Sequence, residues 1–136
     1  ASNRDGIVAL TDTVFNQGNT DAVQAAFAEM FVGHPGDYTR EQFAENAAGL
    51  RAAMPDLKAE ALRVVAEGNW AVFHFVADGT FTEDMVDPAG TIPATGNPVH
   101  ISNILALQFD EQGRVTGAWE LFDNLAFLTQ LGVIPS

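Results

Sequence analysis

The residue that first asks for a chemical explanation is Asp123, a carboxylate in the apolar run GAWELFDNLAFLTQLG, set between Phe122 and Leu125. Walls made by Trp119, Leu121, Phe127 and Leu131 would desolvate such a group and raise its pKa toward a range where it can take and return a proton. The same position has a structural alternative. A strand-like pattern hands over to a helix-like one at Asp123, and Asp is a favoured helix N-cap. As a cap it accepts backbone N–H bonds, which favour the charged form and make it a poor base. At the level of sequence both roles stand.

Helpers for an acid at this place lie across the DEQG turn, where His100 and Asn103 are hydrogen-bond donors for developing negative charge. Pairing 110 with 113 sets position 100 opposite 123. Pairing 110 with 114, through a Gly bulge, sets 101 there, so that His100 turns away and Asn103 and Leu105 share Asp123's side. A one-residue slip exchanges the faces, and both remain candidates. His74, in AVFHFVA, alternates with Val72 and Val76 while Phe73 and Phe75 face the other way, which reads as a satisfied, partly buried histidine. Tyr38, the only tyrosine, is a possible oxyanion donor from a loop. The three histidines are scattered without His-x-x-x-His or Glu-x-x-His spacing, so no metal site is expected. The glycines of PAGTIPATG are not followed by Gly-Lys-Ser/Thr and make no phosphate loop, and Glu83, Asp84 and Asp87 read as a solvated loop face.

The elements that must position these groups follow from periodicity. NRDGIVALTDTVFNQGN places Ile7, Leu10, Thr11, Val14 and Phe15 on one helical face. TDAVQAAFAEMF, with Thr20 or Asp21 as N-cap, carries a helical stripe of Val23, Ala26, Phe27, Met30 and Phe31. Thr39 and Gln42 form a capping-box pattern for a third helix, with Phe43, Ala47, Leu50 and Met54 as its stripe and Pro55 as its stop. LKAEALRVVAE and WAVFHFVADGTF then flank a Gly-Asn turn, and PVHISNILALQF and RVTGAWELF flank DEQG, two hairpins. Between them EDMVDPAGTIPATGN is a long loop without periodicity, of a length that is more often functional than idle. NLAFLTQLG closes the chain as a short helix with Gly132 as C-cap. Helices first and hairpins after is an α+β pattern with helices on one face of an antiparallel-rich sheet.

Composition bounds the function. At 136 residues, 47% of them hydrophobic, a single domain over residues 1–136 is expected, with apolar surface left for a cavity or an interface between copies. Eighteen acidic residues against six basic ones, a net charge of −12, exclude nucleic acid and anionic membranes as partners and favour a neutral ligand. There is no cysteine, hence no disulfide and no thiolate chemistry. The opening ASNRDG lacks a signal-peptide pattern and no apolar run reaches membrane-spanning length, so a soluble, cytoplasmic protein is expected.

In order and spacing, AAMPDLKAEALRVVAEGNW, GTF, PATGNPV and FDEQGRVTGAWELFDNLAFLTQLG resemble the SnoaL-like polyketide cyclases and their ester-cyclase relatives, over roughly residues 5–134. The resemblance implies a cone-shaped α+β barrel of the nuclear-transport-factor-like superfamily. In it a strongly curved, mostly antiparallel sheet, closed by about three N-terminal helices, would enclose an apolar pocket. It implies a homodimer or higher homo-oligomer and a polycyclic or aromatic apolar substrate. It further implies cofactor-free ring closure of an aromatic polyketide intermediate, with Asp123, in the Trp-x-x-x-Asp motif, as the acid/base. His34, in VGHPG, matches a histidine common after the second helix of the wider group, at a pocket mouth or as a loop brace. The expected catalytic set is Asp123, His100, Asn103 and His34, with Trp119, Phe127, Met54, Phe31 and Leu105 binding substrate. A hydroxylase- or isomerase-like member of the fold and a non-catalytic binding module are the alternatives; an epoxide hydrolase's Asp-Arg-Asp arrangement is not suggested by the arginines.

Overall fold

The first helical pattern folds as α1 (Ser2–Thr11) and runs on through a π-helical stretch, Asp12–Asn16. These coordinates are a computed structural model that describes residues 2–87 and 90–134. Asn16 ends the stretch by pairing its amide with the backbone of Ala59, accepting from the N–H at 2.6 Å and donating to the carbonyl at 2.9 Å. That two-way bond seats the first helix against the sheet.

The second helical stripe is where fold and expectation part. Only Ala22–Ala26 is helical (α2), with Asp21 at the N-cap position but making no side-chain cap bond. Phe27–His34 is a strand, β1. Phe27 and Phe31, both buried, lie four residues apart, a separation that suits one face of a helix and one face of a strand equally. Met30, needed for a helical stripe, is 77% exposed. Docking beside a strand from the far end of the chain decides the matter, since β1 pairs in parallel with β7 (Val115–Phe122).

The third helix, α3 (Arg40–Ala53), has the full capping box: Thr39 accepts from Gln42 N–H while the Gln42 side chain accepts from Thr39 N–H. It is followed by β2 (Lys58–Glu67) and β3 (Trp70–Thr80), joined at Gly68 and Asn69, with Gly68 at φ 59° supplying the left-handed turn residue. The long segment expected as loop contains an antiparallel ribbon, β4 (Met85–Asp87) with β5 (Gly90–Ile92). Pro88 and Ala89 of that segment, and the side chain of Asp87, lie outside the described residues. Then come β6 (Pro98–Phe109), β7 and α4 (Asn124–Leu131), ended by Gly132 at φ 93°.

The main sheet has the order β1-β7-β6-β3-β2 and is mixed, antiparallel except for β1 with β7. β1 and β2 are its two edges, so the sheet is open and the expected closed barrel is not formed. The α+β class holds, with four α-helices among the described residues. Strict alternation on β6 sends Val99, Ile101, Asn103, Leu105, Leu107 and Phe109 to the inner face, where they meet the helices in one core.

Candidate active site

Register settles which side chains can meet. Asp110 N–H donates to the Arg114 carbonyl at 2.9 Å, the wider of the two turn pairings considered. A further irregularity between Gln108 and Phe109 then shifts the ladder by one more residue, giving Leu107↔Ala118, Leu105↔Glu120 and Asn103↔Phe122. Partners in a ladder share a face, so Ala118, Glu120 and Phe122 point inward with Asn103 and Leu105.

Those residues line a cavity of about 440 Å³ between the inner sheet face and the helices. Its walls are largely apolar: Phe15 and Phe43 from the helices, Phe73 and Phe75 from β3, and Phe127 from α4. Met85 and Val86 of the ribbon contribute to the same wall, so the long segment between the hairpins takes part in the site.

Three polar side chains face this cavity from the sheet side. Asn103 Nδ2 donates to Glu120 Oε2 at 2.7 Å, and Asn103 is only 7% exposed. Burial raises the Glu120 carboxyl above its ordinary value, against the opposing pull of the Asn103 bond. The Tyr38 phenol is pushed up to about 12, first by burial and then by the neighbouring Glu120 charge. Tyr38 therefore remains a protonated donor at ordinary pH. Its backbone is held by reciprocal bonds with Gly33, 2.8 and 3.0 Å, and its ring lies against that glycine so closely that a Cβ would collide with it.

Of the expected site residues, Asn103, Leu105 and Phe127 line the cavity. Asp123 is exposed and outside it; its Oδ1 accepts from Ala126 N–H at 2.9 Å as the N-cap of α4. The cause is parity: Asp123 stands an odd number of residues beyond Glu120, where the chain leaves the sheet for the helix. His100 faces outward, its Nδ1 2.7 Å from Asp78 Oδ1, and its backbone is bracketed by the Gln130 amide. His34 also lies outside the cavity, stacked on Trp119 with ring centroids 5.1 Å apart and its Nδ1 3.1 Å from Asp37. Trp119 projects from the opposite sheet face, 42% exposed, with its ring 5.3 Å from that of Trp70. Met54 is wholly buried in the core, and Phe31 backs Tyr38 at 5.9 Å; neither reaches the cavity. His74 is satisfied on the outer face by Ser102 Oγ at 2.6 Å. Glu120 is a cavity residue that the motif spacing alone does not single out. The signal for it was available: an acidic residue alternating with Ala118 and Phe122 on a strand whose other face is apolar too.

Among the described residues no three His, Asp or Glu side chains are grouped to hold a metal ion, and no helix is long and apolar enough to cross a membrane.

A family model described as SnoaL-like polyketide cyclase matches residues 6–131. No curated protein matches the chain. Among solved structures, a candidate polyketide cyclase from Acidithiobacillus ferrooxidans is 26% identical with a TM-score of 0.78, over 97% of this chain and 95% of that one. IdmH, a candidate polyketide cyclase from Streptomyces antibioticus, is 26% identical with a TM-score of 0.76, over 98% and 100%. AclR, a candidate hydroxylase from Streptomyces galilaeus, shares the fold at 18% identity and a TM-score of 0.79, over 99% and 84%. With the family pattern running through nearly every element around the cavity, the chain belongs to the SnoaL-like polyketide cyclases.

Proposed function

We propose that this protein closes a ring in a neutral, largely apolar polyketide-type intermediate by a cofactor-independent intramolecular aldol reaction, with Glu120 as both base and acid. The observation that carries the reading is a carboxyl group facing an apolar cavity, raised in pKa by burial and oriented by Asn103. A base works best when its pKa lies near the operating pH, and burial moves Glu120 in that direction.

The steps follow from the donors and acceptors present. With Oε2 engaged by Asn103, Oε1 of Glu120 is the oxygen left to remove a proton from a carbon flanked by two carbonyls. The enolate forms beside the Tyr38 hydroxyl, a donor placed where negative charge appears. Its carbon attacks a second carbonyl of the same molecule, a C–C bond forms, and the alkoxide takes the proton back from Glu120. The apolar aromatic walls hold the chain of the substrate folded and keep water from quenching the enolate. A net charge of −12 favours a substrate without free carboxylates.

The test is Glu120→Gln, assayed on an aromatic β-keto ester bearing a second carbonyl within reach. Turnover should fall by on the order of 10²–10⁴-fold with binding retained. Unchanged turnover would remove the proposed base. Oxygen insertion in place of ring closure would move the chain to the hydroxylase-like reading.

A further inference from the structure

Asn103 Oδ1 is a buried side-chain acceptor with no hydrogen-bond partner among the described residues. Buried polar atoms are ordinarily paired, and an unpaired acceptor costs stability. The orientation of the amide is not free to relieve this. An ionised carboxylate can only accept, so Nδ2 must face Glu120 Oε2, and that turns Oδ1 the other way. Its neighbours on the inner face of β6, Ile101 and Leu105, offer no donor.

We propose that Asn103 Oδ1 is a specificity acceptor for a neutral O–H group of the bound molecule, a phenol or an enol on a flat apolar ring system. Resting on the assignment of Glu120 as base, the hydroxyl sits on the part of the substrate adjoining the carbon that Glu120 deprotonates. An ether at that place brings no donor, and an ionised oxygen would face two acceptors at once. A site built around a buried acceptor rejects the analogue that leaves it unpaired. Asn103 thus holds the base with its nitrogen and selects the substrate with its oxygen.

The experiment compares 2-naphthol with 2-methylnaphthalene, near-isosteric probes that differ in the donor, by equilibrium titration against the folded protein. Water solvates the naphthol better, so an apolar cavity without an acceptor binds 2-methylnaphthalene more tightly. Wild type should reverse that order. The ratio of the two dissociation constants should shift toward 2-methylnaphthalene by at least about tenfold in Asn103→Leu. Glu120→Gln, which can still accept from Asn103 Nδ2, should keep the wild-type ratio within about threefold. Wild type that prefers 2-methylnaphthalene or binds neither probe, or a ratio lost in Glu120→Gln but kept in Asn103→Leu, overturns the proposal. Binding reads the acceptor and turnover of Glu120→Gln reads the base, so either assignment can fail while the other survives.

Discussion

Asn103 and Glu120 are joined by a 2.7 Å hydrogen bond although neither is the other's partner in the ladder. Asn103 pairs with Phe122 and Glu120 with Leu105, so the bond crosses β6 and β7 diagonally. The diagonal leaves each residue one unused oxygen, and the base and the acceptor of the proposed site are those two atoms.

The cost of holding Glu120 there should be visible in stability. Its folded-state pKa is raised, so the folded protein binds the proton more tightly than the unfolded chain. The associated stabilisation is present below the unfolded value, about 4.3, and is lost as pH rises through the folded value. Glu120→Gln should therefore have a higher Tm than wild type at pH 7–8, with the gap closing toward pH 4. Thermal denaturation across that range checks it; a lower Tm at neutral pH would contradict it.

The pH–rate profile should show one limb. kcat/KM is expected to rise with pH as Glu120 ionises, with a midpoint above the ordinary carboxyl value. No fall from Tyr38 is expected below pH 10, because its phenol titrates only at about 12. A midpoint at or below about 4.3 would show that burial does not tune the base.

Asp123 should behave as a cap. Asp123→Ala is expected to lose about 1 kcal/mol of stability and Asp123→Asn only a fraction of that, both with turnover near wild type. Chemical denaturation and steady-state kinetics on the pair separate the roles. A large loss of kcat in Asp123→Asn, with stability intact, would return the acid/base role to Asp123.

Gly33 should matter for activity through Tyr38. In Gly33→Ala the new Cβ meets the tyrosine ring, which must leave its place on the cavity wall. Turnover should fall by about 10²-fold, as for Tyr38→Phe, the usual effect of losing one oxyanion donor. If Gly33→Ala keeps full activity, the ring does not act from its present position.

The outer sheet face exposes Trp119, Leu121, Ile104 and Val72 on adjacent strands, and pairing of two copies through it would bury that apolar surface. Light scattering should give a homodimer for wild type and a monomer for Leu121→Lys. A monomeric wild type at micromolar concentration would dismiss that role for the face.

Local chemistry was readable where a side chain acts on its own backbone. The Thr39/Gln42 capping box, the Gly68 turn and the Gly132 stop all follow from interactions within a few residues, and each stands where the pattern placed it. The inward alternation of Phe73 and Phe75 against His74 was equally legible, because a period of two needs no knowledge of the partner strand.

The family, the α+β class, the two hairpins and the Thr39 capping box were thus legible from the chain alone. Packing between distant segments made Phe27–His34 a strand and left the sheet open. It alone decided that Glu120, not Asp123, faces the hollow. Phe27 and Phe31 fit either period until β7 arrives beside them. The irregularity at Phe109 shifts every following pair by one residue, which exchanges the faces of a strand with no change in composition. Such choices depend on contacts between residues distant in the chain, and local propensity is silent about them.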